Sequence, residues 1–325
     1  MYFITSCRTP ILILTLTFAC ILSLYPFLNN LSDKFVFEAG VAKLSVEIPS
    51  LIDSNNESLA TSKIRSLAFI NARCIKNSRI EYFYSIMSIF EINAQNAKER
   101  KMRVVVETIG DYYLSFLDLF PKMKSTSRDI KSMISFLFRT IQSYLDNYFE
   151  IISYGSLEMI AFRLKGTGSN MITNGFDDKH VNRIIETLHN TFRSIQKKRS
   201  MDDDEIEERI EESERDLLQY IGELAIEASQ NKLKLTFTTC GIVLIRIGAE
   251  VIWGKEKLNS NTSILFAVVK QLKEIEKISE VDYFEELFIQ AKNYNFIEPN
   301  FGKYVDEFKK EYQLRKSISI NSINM

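Results

Sequence analysis

The residues that could do chemistry are few and poorly placed for it. Two histidines occur, His180 and His189, nine residues apart. On a helix a metal-binding pair stands at i and i+4, whereas a nine-residue step turns the second side chain to the opposite face. No HExxH is present, and each histidine reads as a surface or helix-start residue. Cys7, Cys20, Cys74 and Cys240 are scattered with no CxxC, so they outline neither a disulfide framework nor a zinc site. Gly166-Thr167-Gly168-Ser169 invites comparison with a phosphate-binding loop. It lacks the GK[ST] step and the third glycine of a dinucleotide fingerprint, and no strand leads into it. It reads as a flexible connection. Serine and cysteine nucleophile readings fail for want of a nearby histidine and an elbow motif. No catalytic residue, cofactor or metal is expected.

Charge is more informative. The run from Asp202 to Asp216 carries ten acids and is countered by Arg209 and Arg215. Asp202, Asp203, Asp204, Glu207, Glu208, Glu211 and Glu212 form the candidate surface for a basic protein partner. The run lacks the spacing and the glycine of an EF-hand. Its plain alternative is a solvated helix start, where acids suit the positive end of the helix dipole. A metal-dependent hydrolase built on this run is a third reading. Lys98, Glu99, Arg100, Lys101 and Arg103 form a short basic cluster that reads as a solvated helix turn. The whole chain balances 41 basic against 42 acidic residues, a net charge of −1. There is no global basic field for a nucleic-acid backbone, and no nucleic acid is expected as a partner.

These residues sit in a chain whose elements are helices. Its 325 residues include 11 Gly and 5 Pro. Such scarcity predicts few tight turns and argues against sandwiches and barrels, which turn every 8–12 residues or so. Apolar residues recur every three to four positions from Leu59 onward, a helical period that no strand produces. One seam is read from Ile130 through Ile134, Leu137, Ile141, Tyr144, Tyr148 and Ile151 to Gly155. Another pairs Asp177 or Asp178, as helix cap, with Val181, Ile184, Leu188, Phe192 and Ile195. Gly110, Gly155, Gly222 and Gly248 lie inside such seams, where glycine weakens a helix by about 1 kcal/mol. Close approach of a neighbouring helix is the natural compensation. The segment 217–253 resembles a unit of a HEAT-type α-solenoid, without a regular period. The fold class is therefore all-α: a large multi-helix bundle or an irregular solenoid-like array.

The domain organisation follows. Pro10 to Leu28 is a run of 19 residues with no charge, just long enough to cross a bilayer core of about 30 Å. Tyr25, Pro26, Phe27 and Leu28 make a poor cleavage site, and the apolar run continues past Cys20, which disfavours a lipoprotein. A retained transmembrane anchor fits best, carried by Ile11, Leu12, Ile13, Leu14, Leu16, Phe18, Ile21, Leu22 and Leu24. Residues 1–31 are read as this anchor and 32–57 as a linker holding a short strand or helix stub. Residues 58–315 are read as the helical domain, with a sub-boundary at 166–178, and 316–325 as a flexible tail. The 11-residue apolar run from Leu235 to Ile245 suits a buried helix better than a second span. Basic residues flanking the anchor nearly balance, and unpaired cysteines tilt the main domain toward the cytoplasm. The expected role is a single-pass membrane protein whose helical domain binds or scaffolds a protein partner. The alternative is a non-catalytic subunit of a membrane complex.

Overall fold

In a computed structural model of the chain, the described residues are 37–123, 127–199, 207–255, 262–293 and 301–321. They are helical and contain no strand. A first helix, α1, spans 37–53. It is followed by α2 (Glu57–Lys76), α3 (Ile80–Glu99), α4 (Arg103–Leu117), α5 (Arg128–Tyr148), α6 (Tyr154–Thr173) and α7 (Asp178–Arg199). Then come α8 (Glu207–Gln230), α9 (Lys234–Lys255), α10 (Thr262–Ile278), α11 (Val281–Asn293) and α12 (Phe301–Asn321). A 3-10 turn at Phe120–Lys122 carries Pro121 and separates α4 from α5.

Short polar side chains start several helices by accepting otherwise orphaned amides. Asn56 accepts from the Leu59 amide (3.2 Å), Ser127 from Ile130 (3.3 Å), Ser153 from Ser156 (3.2 Å) and Asp177 from His180 (3.2 Å). The helix ends are more unusual. Asn55, Ser78, Lys101, Gly175 and Lys232 all adopt positive φ, between 53° and 71°. At each, the next amide bonds back to the carbonyl five residues earlier, as Arg79 does to Cys74 (2.9 Å) and Leu233 to Ala228 (2.9 Å). This left-handed cap normally favours glycine. Glycine supplies it once here, so the scarcity of glycine did not mean a scarcity of tight turns.

From α2 on, each helix packs on the helix two places further along, and most also pack on their immediate successor. Among the described residues, α3, α5, α7, α9 and α11 form one layer, and α2, α4, α6, α8 and α10 the other. Odd helices start at Ile80, Arg128, Asp178, Lys234 and Val281, so successive starts are 48, 50, 56 and 47 residues apart. Polar bonds repeat on the same interval. Glu57 accepts from the Val104 amide (3.0 Å), Glu107 from Ser153 (2.7 Å) and Asp178 from Leu235 (2.7 Å) and Thr236 (2.8 Å). In each case a carboxylate on one helix satisfies amides at or beside the start of the helix two elements on, where the dipole favours it. At opposite helix ends, Lys98 donates to the Asn147 carbonyl (2.6 Å) and Lys198 to Glu150 (3.2 Å). Parallel neighbours within a layer are thus clamped amino end to amino end and carboxyl end to carboxyl end. This is a tandem, two-layer helical array.

The seam glycines permit close packing. A Cβ at Gly110 would stand 2.5 Å from the Tyr144 ring, and one at Gly248 would stand 2.5 Å from Phe308. Helix α9 is the hub, packed against α7, α8, α10, α11 and α12. Among the described residues it is the one helix long and apolar enough to cross a membrane, over Lys234–Trp253, and 78% of its apolar window is buried inside the fold.

Several expectations need correction. The stretch read as a linker with a short strand is helix α1, whose Leu44, Ile48 and Ile52 are buried. Pro49 removes one amide near the end of this helix without breaking it. The supposed loop and sub-boundary at 166–178 is helical through Thr173. Gly168 sits where Leu224 and Ile184 press against α6, and buried Thr167 hydrogen-bonds Asp118. The single seam from Ile130 to Gly155 is two helices, because α5 ends at Tyr148 and Ser153 caps α6. On α2, where the apolar period begins, Phe69 falls off the buried face and is 66% exposed. The tail from 316 is helical to Asn321, where Lys316 reaches Glu276 at 2.5 Å. The anchor at residues 10–28 lies outside the described residues.

Candidate functional site

The strongest concentration of buried charge lies where α7 meets α9. His189 and Arg193 stand one turn apart on α7 and face Glu250 of α9. Arg193 forms an ion pair with Glu250 Oε1, and His189 Nε2 lies 3.6 Å from Oε2, too far for a hydrogen bond. Burial pushes the Glu250 carboxyl up, but His189 and the Arg193 guanidinium overcome it and hold the group at about 2. Burial lowers His189, against the pull of Glu250. Buried Arg246, four residues before Glu250, donates to the Ala291 carbonyl (3.3 Å) and lies 4.6 Å from the Phe301 ring centre. With the histidine and carboxylate both packed inside, this cluster ties α7 to α9 and α9 to α11 and α12.

A second buried carboxylate lies at the α7–α8 junction. Glu214 is fully buried, with Arg199 3.3 Å from Oε2 and no partner for Oε1 among the described residues. Burial raises its carboxyl to about 7, against Arg199 and helped by Glu211.

The acidic run is thereby divided. Asp202, Asp203 and Asp204 lie outside the described residues. Glu207 and Glu208 occupy the first turn of α8. Glu211 faces Arg199 at 3.7 Å and accepts from Ser263 (3.1 Å), while Glu212 is exposed. The structure therefore turns Glu211 and Glu214 inward, toward α7 and α10, and leaves Glu212 and Asp216 to solvent. The basic cluster is also engaged with the fold: Arg100 pairs with Asp53 (3.3 Å) and Lys101 forms a left-handed turn. His180 lies in the first turn of α7, where its ring Nδ1 is 2.5 Å from the capping Asp177 carboxylate. Cys74 and Cys240 are buried free thiols, raised by burial, the first to about 12, which leaves them unreactive. Among the described residues no three His, Cys, Asp or Glu side chains converge to hold a metal ion.

The layer of even-numbered helices carries the exposed aromatic surface, which periodicity alone did not reveal. Met159 and Phe162 on α6 are 49% and 60% exposed. The edge of Phe162 meets half-buried Tyr220 of α8, with ring centres 6.3 Å apart. Glu158, Glu212, Asp216 and Glu223 surround this pair, and Lys165 binds Glu223 at 3.0 Å. On α10, Phe266 is 59% exposed and stacks beneath the Arg315 guanidinium of α12, 4.2 Å from the ring centre. The signal for such a surface was available in part: Phe162 falls between the buried positions Ile160, Ala161 and Leu164, off the α6 seam.

No protein-family model matches this chain, and no curated protein matches it. Two solved structures show a loose likeness. One is described as "Circular tandem repeat protein with novel repeat topology and enhanced subunit contact surfaces"; it is 14% identical, with a TM-score of 0.46, over 85% of this chain and 66% of its own. The other is described as "Computational Design of Self-Assembling Cyclic Protein Homooligomers"; it is 12% identical, with a TM-score of 0.27, over 87% of this chain and 97% of its own.

Proposed function

We propose that this chain is a membrane-tethered helical scaffold whose array binds a protein partner. The observation that carries the reading is the repeated packing of each helix from α2 on against the next but one, which builds two layers with extended outer faces. Arrays of this kind work through such faces, because every repeat adds surface without a new core. The tether is residues 10–28, whose length and lack of charge suit a bilayer. The unpaired thiols Cys74 and Cys240 support a cytoplasmic location for the array.

Two measurements test this. After an alkaline carbonate wash, the full chain is expected in the membrane pellet, and a chain lacking residues 1–31 in the supernatant. Release of the full chain overturns the tether. Affinity purification in detergent is expected to recover a stoichiometric protein partner, including a second copy of the chain. A chain that is monomeric and unaccompanied at every ionic strength overturns the scaffold.

A further inference from the structure

Two exposed stripes in the layer of even-numbered helices match in spacing and oppose in charge. On α2, Arg65, Phe69, Arg73 and Lys76 are all exposed. They follow an i, i+4, i+8, i+11 pattern, which keeps them within one narrow helical face. No ion pair among the described residues engages the three cations. On α8, Glu212, Asp216, Tyr220 and Glu223 repeat the same pattern, with Glu212 and Asp216 exposed and the other two half-buried. There, an aromatic residue again stands among charges, and Met159 and Phe162 of α6 widen the apolar part. Acids outnumber bases on this face: Glu158, Glu212, Asp216 and Glu223 against Lys165 and Arg215, with Lys165 already bound to Glu223.

We propose that this protein forms a two-fold dimer in which α2 of each copy docks on the α6–α8 face of the other. This deepens the scaffold reading and rests on it, because it names a second copy of the chain as the partner. Both stripes belong to the same layer, so one two-fold axis makes both contacts at once and closes the assembly. Phe69 is the apolar anchor, received by Met159 and Phe162, while Arg65, Arg73 and Lys76 meet Glu212, Asp216 and Glu223. The chain already contains a contact of this kind within itself: exposed Phe266 is covered by the Arg315 guanidinium. Among the described residues no cation covers Phe162, and an arginine from a second copy supplies the same cation–π contact there.

The test is charge reversal with rescue, using the full chain in detergent and light scattering for mass. One variant carries Arg65→Glu and Arg73→Glu; the other carries Glu212→Lys and Asp216→Lys. All four positions are exposed, and circular dichroism checks that each variant keeps its helix content. Wild type is expected to be dimeric at low salt and to dissociate near 1 M salt, where the screening length falls to about 3 Å. Each variant alone is expected to self-associate at least tenfold more weakly. Mixing them restores a one-to-one dimer, because one contact is then reversed on both sides, the other is wild-type, and both pair opposite charges. Phe162→Ser is expected to weaken wild-type association without changing its salt dependence. A dimer that persists unchanged in both charge variants overturns the proposal, as does a wild-type monomer at low salt. If that monomer instead co-purifies with a different stoichiometric protein, self-docking fails while the scaffold reading stands. If it is alone, both fail.

Discussion

Glu214 on α8 is fully buried and Glu250 on α9 nearly so; both lie against α7, and both face an arginine from it. They titrate in opposite directions. Glu250 has Arg193 on one oxygen and His189 beside the other, and the pair outweighs burial. Glu214 has one arginine at 3.3 Å, an unpartnered Oε1 among the described residues and Glu211 nearby, and burial wins. Burial by itself therefore does not decide the charge of a carboxylate. The count and placement of cross-helix partners decide it, since each partner must offset a desolvation cost of several kcal/mol.

The contrast has consequences for stability that can be broken one residue at a time. The largest effect is expected from Glu250→Ala, which strands Arg193 beside buried His189. The loss should be roughly 3–5 kcal/mol, read from urea unfolding at pH 7. A loss below about 1 kcal/mol would show that the charge pair is dispensable.

Glu214→Gln separates the two sites by pH. The folded pKa of Glu214, about 7, lies above the 4.5 of an ordinary glutamate. Its stabilising contribution is therefore full below about pH 4.5 and is lost as pH rises through 7, a change of about 3 kcal/mol by linkage. The glutamine variant should lack this slope, so its stability relative to wild type should rise between pH 5 and 8. Glu250 has the opposite sign: its folded pKa of about 2 lies below 4.5. Its contribution is present above pH 4.5 and is lost as pH falls toward 2. Parallel pH profiles for Glu214→Gln and wild type would remove the distinction.

Gly248→Ala tests whether packing rather than charge holds α9 in place beside Glu250. The new methyl overlaps the Phe308 ring, and a loss of roughly 1–3 kcal/mol is expected despite the better helix propensity of alanine. Gly166→Ala, at a helical position with open space around it, should instead gain up to about 1 kcal/mol. Equal responses in thermal melts would count against the packing account. The smallest effect belongs to Glu211→Gln. Removing this neighbouring charge should lower the Glu214 titration point by less than about one unit, visible in carboxyl carbon NMR shifts. An unchanged or upward shift would assign the raised pKa to burial alone.

Much of the secondary structure was legible because helical period is local. The seams around Ile134 and Ile184 were read from apolar spacing, and the cap was narrowed to Asp177 or Asp178, of which Asp177 accepts the His180 amide. The errors came where local cues conflict with distant packing. Gly166 and Gly168 look like a loop, yet Leu224, 56 residues after Gly168, presses on the second and keeps the helix continuous. Ser78, Lys101 and Lys232 gave no turn signal, because the left-handed conformation they adopt is usually left to glycine. The candidate surface was half legible. The acidic run is plain in the sequence, but its division into buried Glu214, inward Glu211 and exposed Glu212 and Asp216 depends on which face of α8 meets α7 and α10.

The sequence by itself therefore determined the helical character of the chain, the apolar stretch at its start and the concentration of acids near residue 210. Those properties follow from composition and from spacing over one or two helical turns. Only the tertiary structure decided the two-layer order, the carboxylate that stays charged in the core and the aromatic residues left in solvent. Each of these depends on partners some 45 to 58 residues away along the chain, such as Asn147 for Lys98 and Glu250 for Arg193. Adding a proton, burying a ring or closing a turn is then settled by the free energy of the packed neighbourhood rather than by the residue type.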